Sequence, residues 1–235
     1  MINHFELKIF PKVEDVCRAA ANIFFDLLNS DGKNTFIVPG GTTPHMFYYY
    51  LAQQVCNWKN TTLVLSDERL VREDSPESNY GMIKRKLLEL IRIERSPKLI
   101  NVVNGFSPDY SNQILESLNF RTRQLLPPKA AFLGIGTDGH TASLFSGFED
   151  SLHDKETFIL INRSSEKFQR ISVSLKILSE TPLLFFLVSG KKKKTVLKQI
   201  INASEESGQL PVQDLFKKAK GKVTILCDKS ASPDQ

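Results

Sequence analysis

The sequence has little of the cysteine, tryptophan and histidine that mark disulfide-rich or metal-dependent proteins. Among 235 residues there are three cysteines, one tryptophan and four histidines. Cys17, Cys56 and Cys227 are odd in number and far apart, so they indicate neither a disulfide framework nor a zinc site. Buried free thiols in a reducing compartment are the better interpretation, and the cytoplasm is the expected location.

Long apolar runs are also missing. The longest clearly apolar stretch covers residues 183–188, whereas a membrane-spanning helix needs about 20 residues. The N-terminal residues lack a basic start followed by an uninterrupted apolar run, and we expect no secretory signal there. The sequence therefore predicts no membrane partner.

A strong charge imbalance is absent as well. Lysine and arginine number 31 and aspartate and glutamate 26, which gives a net charge of +5. Acidic residues are interspersed with the basic ones, and no nucleic-acid-binding motif accompanies the lysine run at residues 191–194. The small positive excess suits an anionic small molecule, and we expect no nucleic-acid partner. The composition and length fit one globular domain over residues 1–235, with a monomer favoured.

Short β-rich apolar runs alternate with helical patterns along the chain. Predicted strands cover residues 35–38, 61–67, 100–105, 130–136, 158–162, 170–175, 183–190 and 222–228. Predicted helices cover residues 13–27, a segment from about 44, and residues 78–91, 109–126, 140–145 and 192–202. This alternation predicts an α/β fold with a doubly wound, mainly parallel sheet and helices on both faces. Ligands of such sheets bind beyond the carboxyl ends of the strands.

Gly40, Gly41 and Thr42 stand between a predicted strand and the helix that starts near Pro44. Glycines let the backbone approach a ligand closely, and free N–H groups at a helix start favour an anion. A phosphate-binding turn is one interpretation, and an ordinary strand-to-helix turn is the other. The Gly-Lys-Ser/Thr ending of a P-loop is missing.

Two further clusters follow strands. Asp67 ends the strand over residues 61–67 and Arg69 follows two residues later, ahead of the short segment Ser78-Asn79-Tyr80. They fit either a binding site or a salt-bridged surface turn. Arg170 and Lys193 come later, and both residue types are phosphate ligands, although each alone is more often an ordinary surface charge.

Residues 134–140 read Gly-Ile-Gly-Thr-Asp-Gly-His after a predicted strand. The three glycines spell G-x-G-x-x-G, but the acidic residue that a dinucleotide site expects at the end of the next strand is missing. Asp138 and His140 lie two residues apart, so His140 can act as a general base that Asp138 orients. Ser143 lacks the G-x-S-x-G context of a nucleophile, and a capping or packing role is favoured.

In this order the motifs resemble the 6-phosphogluconolactonase family over nearly the whole chain. The resemblance rests on residues 40–44, 66–81 and 133–147, and on later blocks around residues 169–178, 187–193, 210–212 and 226–232. The related glucosamine-6-phosphate deaminases carry Ile-Ala-Phe-Asn-Glu-Pro after the histidine. Here His140 is followed by Thr-Ala-Ser-Leu-Phe, so the glutamate of the deaminase chemistry is missing.

The resemblance implies a fold similar to the ribose-phosphate-isomerase and CoA-transferase group and hydrolysis of a sugar-phosphate lactone. It implies His140 as the base, Asp138 as its partner and Arg69 near the developing oxyanion. Gly40, Gly41, Thr42, Asp67, Arg170 and Lys193 are the expected substrate-binding residues. Nothing in the sequence requires a metal or an organic cofactor. An isomerase or deaminase, and a catalytically idle phosphosugar-binding protein, remain open alternatives.

Overall fold

A computed structural model describes residues 5–29, 34–41, 43–54, 57–58, 60–91, 96–103, 110–146, 156–202 and 210–233. The strands are β1 (Phe5–Phe10), β2 (Asn34–Val38), β3 (Thr61–Leu65), β4 (Asp67–Arg69), β5 (Lys98–Leu99), β6 (Ala130–Gly134), β7 (Phe158–Ile161), β8 (Arg170–Val173), β9 (Leu183–Val188) and β10 (Lys222–Asp228). The α-helices are α1 (Val13–Leu28), α2 (Pro44–Gln53), α3 (Asn79–Lys86), α4 (Ser111–Thr122), α5 (Leu175–Glu180), α6 (Lys194–Ile201) and α7 (Pro211–Lys218).

Seven strands form a parallel sheet in the order β1-β10-β9-β6-β2-β3-β5. From β2 the chain moves to β3 and β5 on one side, and it then returns to β6 on the other side of β2. The loops that leave β2 and β6 therefore diverge between two neighbouring strands. Such a switch point opens a crevice at the carboxyl edge of a sheet.

Three other strands form a small antiparallel sheet in the order β4-β8-β7. Its first strand follows β3 after one residue, Ser66. The carboxyl edge of β3 is thereby joined directly to the small sheet, whose strand β8 begins at Arg170.

Aromatic side chains pack on both faces of the parallel sheet. Phe185 of β9 lies 5.0 Å from Phe132 between ring centroids, and Phe132 contacts Phe24 of α1 and Phe47 of α2. The next residue, Phe186, lies 5.1 Å from Phe216 of α7. Because successive strand residues point to opposite faces, α1 and α2 cover one face and α7 the other. The predicted doubly wound sheet with helices on both faces is confirmed.

Several sequence predictions about individual elements are wrong. The strand over residues 61–67 ends at Leu65, and Asp67 belongs to β4 of the small sheet. The strand of residues 100–105 is displaced to Lys98–Leu99, and residues 104–105 lie outside the described part. Residues 140–145 form a turn with a bridge between Thr141 and Leu144, because Ala142 has a φ of +50°, which no α-helix accommodates.

Other predicted helices differ at their ends. The segment over 78–91 forms α3 and a separate 3₁₀ turn at Leu88–Leu90. Residue 109 lies outside the described part, and the rest of the segment over 109–126 forms α4 and a 3₁₀ turn at Arg123–Leu125. The segment over 192–202 begins with a 3₁₀ turn at Lys191–Lys193. β1, α5 and α7 are additional elements that the sequence predictions did not include.

Cys17 and Cys227 are buried free thiols, as predicted, and burial raises the pKa of each to about 11. Cys56 lies outside the described residues. Of the helices that the structure describes, none has the length and apolar character needed to cross a membrane.

Candidate active site

The loops after β2, β3, β6 and β9 enclose a cavity of about 300 Å³ at the carboxyl edge of the sheet. It lies at the switch point between β2 and β6. Seven of the nine predicted site residues line it, namely Gly40, Gly41, Asp67, Arg69, His140, Arg170 and Lys193. Asp138 contacts His140 at the rim, and Thr42 lies outside the described residues.

The glycine loop after β2 lies against α3. A Cβ on Gly40 would be 2.1 Å from Cγ of Asn79, so no larger residue fits without displacing that side chain. Gly41 has a φ of +91°, a conformation that favours glycine. The buried Tyr48 hydroxyl donates to the Pro39 carbonyl at 2.6 Å and holds the start of the loop. The loop is therefore built for close approach to a ligand.

A glycine turn after β6 carries the histidine. His140 Nδ1 lies 2.5 Å from Oδ1 of Asp138, and Gly136 N donates to the His140 carbonyl at 2.7 Å. A Cβ on Gly136 would be 2.2 Å from His140 Nδ1, so only glycine leaves room for this pair. Partial burial acts to raise the pKa of Asp138, but the charge and hydrogen bonds of His140 outweigh it and lower that pKa. The lowered value keeps the carboxylate ionised beside the imidazole.

The start of α7 supports the same turn. Gly139 has a φ of +80° and lies against Leu210, where an added Cβ would be 2.8 Å from Leu210 Cβ. Val212 N donates to the Gly139 carbonyl at 3.0 Å. These contacts hold the segment that presents Asp138 and His140.

The ring of Phe145 lies close to both His140 and Arg170. Its ring centroid lies 4.6 Å from that of His140 and 5.6 Å from the guanidinium carbon of Arg170. Arg170 forms an ion pair at 2.5 Å with Glu166, and its Nη1 lies 3.7 Å from Asp67 Oδ2. Among the described residues, the buried Nε of Arg170 has no hydrogen-bond partner. Arg170 thus keeps an unused donor near the cavity.

Asp67 is held by two serine hydroxyl groups. Ser143 Oγ donates to Oδ2 at 2.6 Å, and Ser66 Oγ donates to Oδ1 at 3.2 Å. Ser143 is fully buried, which agrees with packing, one of the two predicted roles; the other, helix capping, is wrong because no helix begins or ends at this turn. The Asp67 carboxylate therefore faces the cavity with a fixed orientation.

Arg69 and Asn79 form the wall below the glycine loop. Arg69 Nη1 donates to the Glu77 carbonyl at 2.9 Å and to Asn79 Oδ1 at 3.4 Å. Asn79 Nδ2 donates to the Asp67 carbonyl at 2.9 Å. Within the described part of the chain, the buried Nε of Arg69 has no partner.

Lys193 lies on the opposite side, after β9. Gly190 N donates to the Asp228 carboxylate at 3.0 and 3.2 Å, and Lys193 N donates to the Gly190 carbonyl at 2.9 Å. Burial lowers the pKa of the Lys193 ammonium, and the charge of Asp138 opposes this shift. Three cations, Arg69, Arg170 and Lys193, thus share the cavity wall with one carboxylate, Asp67.

Sequence reasoning gave no individual role to Glu68, Phe145 or Ser189. Ser189 lines the cavity, and its hydroxyl lies 3.1 Å from that of Thr43. Phe145 belongs to the segment 133–147 on which the resemblance rests, but that segment did not predict its contact with His140. In the part of the chain that the structure describes, no group of three or more His, Cys, Asp and Glu side chains is arranged to hold a metal.

The fold and the cavity define an α/β protein with a cation-lined crevice at the switch point of its parallel sheet. Residues 12–225 match the model of the family described as glucosamine-6-phosphate isomerases/6-phosphogluconolactonase, and the chain belongs to this family.

Individual relatives cover most of the chain. The 6-phosphogluconolactonase of Caulobacter vibrioides is 31% identical over 237 residues, 94% of this chain and 96% of the relative. That of Haemophilus influenzae is 31% identical over 194 residues, 79% and 80% of the two chains. The structure of 6-phosphogluconolactonase from Trypanosoma brucei superposes with a TM-score of 0.84 at 21% identity, covering 97% and 98%, which shows the shared fold.

Proposed function

We propose that the chain hydrolyses 6-phospho-D-glucono-1,5-lactone to 6-phospho-D-gluconate, a step of the oxidative pentose phosphate pathway. The observation that carries the proposal is the His140–Asp138 pair, which stands beside a cavity with three cationic side chains. The substrate combines an ester-like carbon that water must attack with a phosphate that needs cationic ligands. The family membership and the activity named for the relatives support the same reaction.

His140 acts as the general base. The Asp138 carboxylate lies beside Nδ1, so it accepts a hydrogen bond from the Nδ1–H group and leaves Nε2 as the basic atom. Nε2 takes a proton from water as the water oxygen bonds to C1 of the lactone. The C1–O5 bond then breaks, and the protonated imidazole returns the proton to O5. Asp138 stabilises the imidazolium that forms in between.

Arg69 and the backbone N–H groups of the glycine turns stabilise the tetrahedral oxyanion. Arg69 lines the cavity, and its Nη1 is anchored by the Glu77 carbonyl and Asn79 Oδ1, so its cationic group is held in place before the substrate binds. Hydrogen-bond donors that are fixed before the reaction stabilise developing charge with little reorganisation. Asp67 lines the same wall. Its carboxylate is held in one orientation, in which it presents polar oxygen atoms to the sugar hydroxyls.

The phosphate is held by Arg170, Lys193 and the Gly40-Gly41 turn, with Thr42 as a further ligand from the sequence prediction. Arg170 is the first residue of β8, and Lys193 ends the 3₁₀ turn after β9; both side chains can donate to the phosphate oxygens. The reaction so described needs no metal or organic cofactor. One domain, a monomeric state and a cytoplasmic location stay predictions from the sequence.

The assay couples fresh 6-phosphogluconolactone to NADP⁺ reduction by 6-phosphogluconate dehydrogenase, with the spontaneous opening subtracted. We expect catalysed lactone opening and no ammonia release from glucosamine 6-phosphate, because the deaminase glutamate after the histidine is missing. Ammonia release without lactonase activity would overturn the proposal and favour the deaminase alternative. Phosphosugar binding without turnover of either substrate would favour the idle binding protein.

A further inference from the structure

Glu68 is a buried carboxylate between the cavity wall and helix α3. It is 1% exposed and stands between Asp67 and Arg69, both of which line the cavity, whereas Glu68 does not. The mechanism above assigns it no step. Burial raises the pKa of its carboxyl group, and hydrogen bonds from the backbone of Tyr80, Asn79 and Arg69 oppose that shift.

The carboxylate accepts hydrogen bonds from four donors. Oε1 accepts from Arg69 N at 2.8 Å and from Asn79 N at 2.9 Å. Oε2 accepts from Tyr80 N at 2.7 Å and from Ser78 Oγ at 3.1 Å. Ser78 Oγ in turn accepts from Gly81 N at 3.0 Å, the N-cap bond of α3. Glu68 therefore fixes both its own strand and the first turn of α3.

Only a carboxylate can satisfy this set of donors. A carboxamide has one accepting oxygen and one donating nitrogen, so its nitrogen must face at least one backbone N–H group. A buried donor that loses its acceptor is costly, more so where the acceptor was charged. The presence of glutamate here is thus explained by the geometry of the donors.

The fixed segment carries the side chains of the cavity wall. Asn79 Nδ2 holds the Asp67 carbonyl, and Asn79 Oδ1 accepts from Arg69. The Asn79 side chain also fills the space beside Gly40. A displacement of the α3 start would therefore move Arg69 and the glycine loop together.

We propose that Glu68 is a positioning residue that holds Arg69 and Asn79 in the geometry used by the active site. It touches neither substrate nor reacting atoms in this scheme and acts through Arg69 and through the contact of Asn79 with the glycine loop. The kinetic part of the inference rests on the proposed function, because it uses lactone turnover as its readout.

The test is a double-mutant cycle with Glu68→Gln and Arg69→Ala. Alone, E68Q is expected to lower kcat/KM for the lactone by about 10- to 100-fold, because a displaced Arg69 stabilises the transition state less well. In the R69A background, the same substitution is expected to lower kcat/KM by a clearly smaller factor, because the Arg69 side chain is gone and only the effect through Asn79 on the glycine loop remains. Equal factors in both backgrounds, or no effect in the parent, would overturn the proposal.

Glu73→Gln is the matched control. Glu73 forms an exposed ion pair at 2.6 Å with Lys84 of α3, so E73Q makes the same chemical change near the same helix without touching the cavity wall. We expect its kcat/KM to stay within about twofold of the parent, since an exposed ion pair contributes little. Thermal unfolding of every variant corrects the rates for the folded fraction.

Amide hydrogen exchange separates this inference from the proposed function. Peptides that cover residues 68–81 should exchange faster in E68Q than in E73Q, because the donors to Glu68 lose a proper acceptor. Unchanged exchange would overturn the positioning role whatever the enzyme does. If the unmodified chain shows no lactonase activity, the proposed function fails, and the exchange result alone decides whether Glu68 positions this segment.

Discussion

Replacing the two members of the His140–Asp138 pair should have unequal effects on turnover. His140→Ala removes the base itself, and a positioned general base is worth about 10²–10⁴-fold in rate. Asp138→Asn keeps the size of the side chain but removes the charge that stabilises the imidazolium. The amide can also donate to Nδ1, which favours the tautomer with a protonated Nε2.

The geometry sets the magnitude of the Asp138 effect. Nδ1 and Oδ1 are 2.5 Å apart, while the side chains of His140 and Asp138 are 29% and 59% exposed. A hydrogen bond to a charged group contributes about 1.5–3 kcal/mol, and solvent screening at this exposure places the pair at the lower end. We therefore expect D138N to lower kcat by about 10- to 30-fold, less than H140A does.

Initial rates with fresh lactone, corrected for spontaneous opening, measure both variants. His45→Ala is the matched control, because His45 lies on α2 and does not line the cavity. Circular dichroism confirms that the variants are folded. A near-normal kcat with a raised KM in H140A would show that the histidine is a ligand contact, and Asp138 would become the next candidate for the base.

Three further outcomes are expected. R170A and K193A should mainly raise KM, because a remote phosphate is held in both the ground and transition states. Initial-rate kinetics measure both constants, and a fall in kcat at constant KM would contradict this prediction. Burial lowers the pKa of Lys193, so its positive charge is lost at a lower pH than that of an ordinary lysine. Calorimetry should show that 6-phosphogluconate binds more weakly as the pH rises through the lowered pKa of Lys193. In K193R the weakening should occur at a higher pH, and an unchanged pH dependence would refute the assignment. Extensive chelation should leave the lactonase rate unchanged, and a loss restored by one divalent ion would recast Asp67 and Asp138 as ligands.

The parallel core was predictable because its strands and helices carry strong local signals. Ser78 was expected to cap a helix, and its hydroxyl accepts from Gly81 N in the structure. Phe5, Leu7 and Ile9 alternate with Glu6 and Lys8 in β1, a period-two pattern that marks a strand. That signal was present in the sequence, although the strand was not among the predicted elements.

Other elements depend on contacts that the local sequence does not contain. The break after Leu65 arises because Asp67 pairs with Ser172 of β8, more than a hundred residues away. The turn after His140 carries helix-compatible residues, but Ala142 adopts a positive φ and Ser143 reaches Asp67. In each case tertiary pairing outweighs the local preference.

Some residues of the candidate site could likewise be predicted from the sequence, and others could not. The lining positions of Gly40, Asp67 and His140 followed from the rule that ligands bind where parallel strands end. Glu68 accepts hydrogen bonds from backbone N–H groups behind the cavity wall, and Phe145 packs against a ring that lines the cavity. Their partners, the amides of α3 and the ring of His140, become visible only when the chain is folded.

The most direct test of the account is nuclear magnetic resonance of ¹³C-labelled 6-phosphogluconolactone, which follows loss of the lactone and growth of the carboxylate in one sample. The unmodified chain should convert the lactone far faster than buffer, and H140A should approach the spontaneous rate. Conversion at the buffer rate by the unmodified chain, or equal acceleration by both proteins, would contradict lactone hydrolysis by His140 in this cavity.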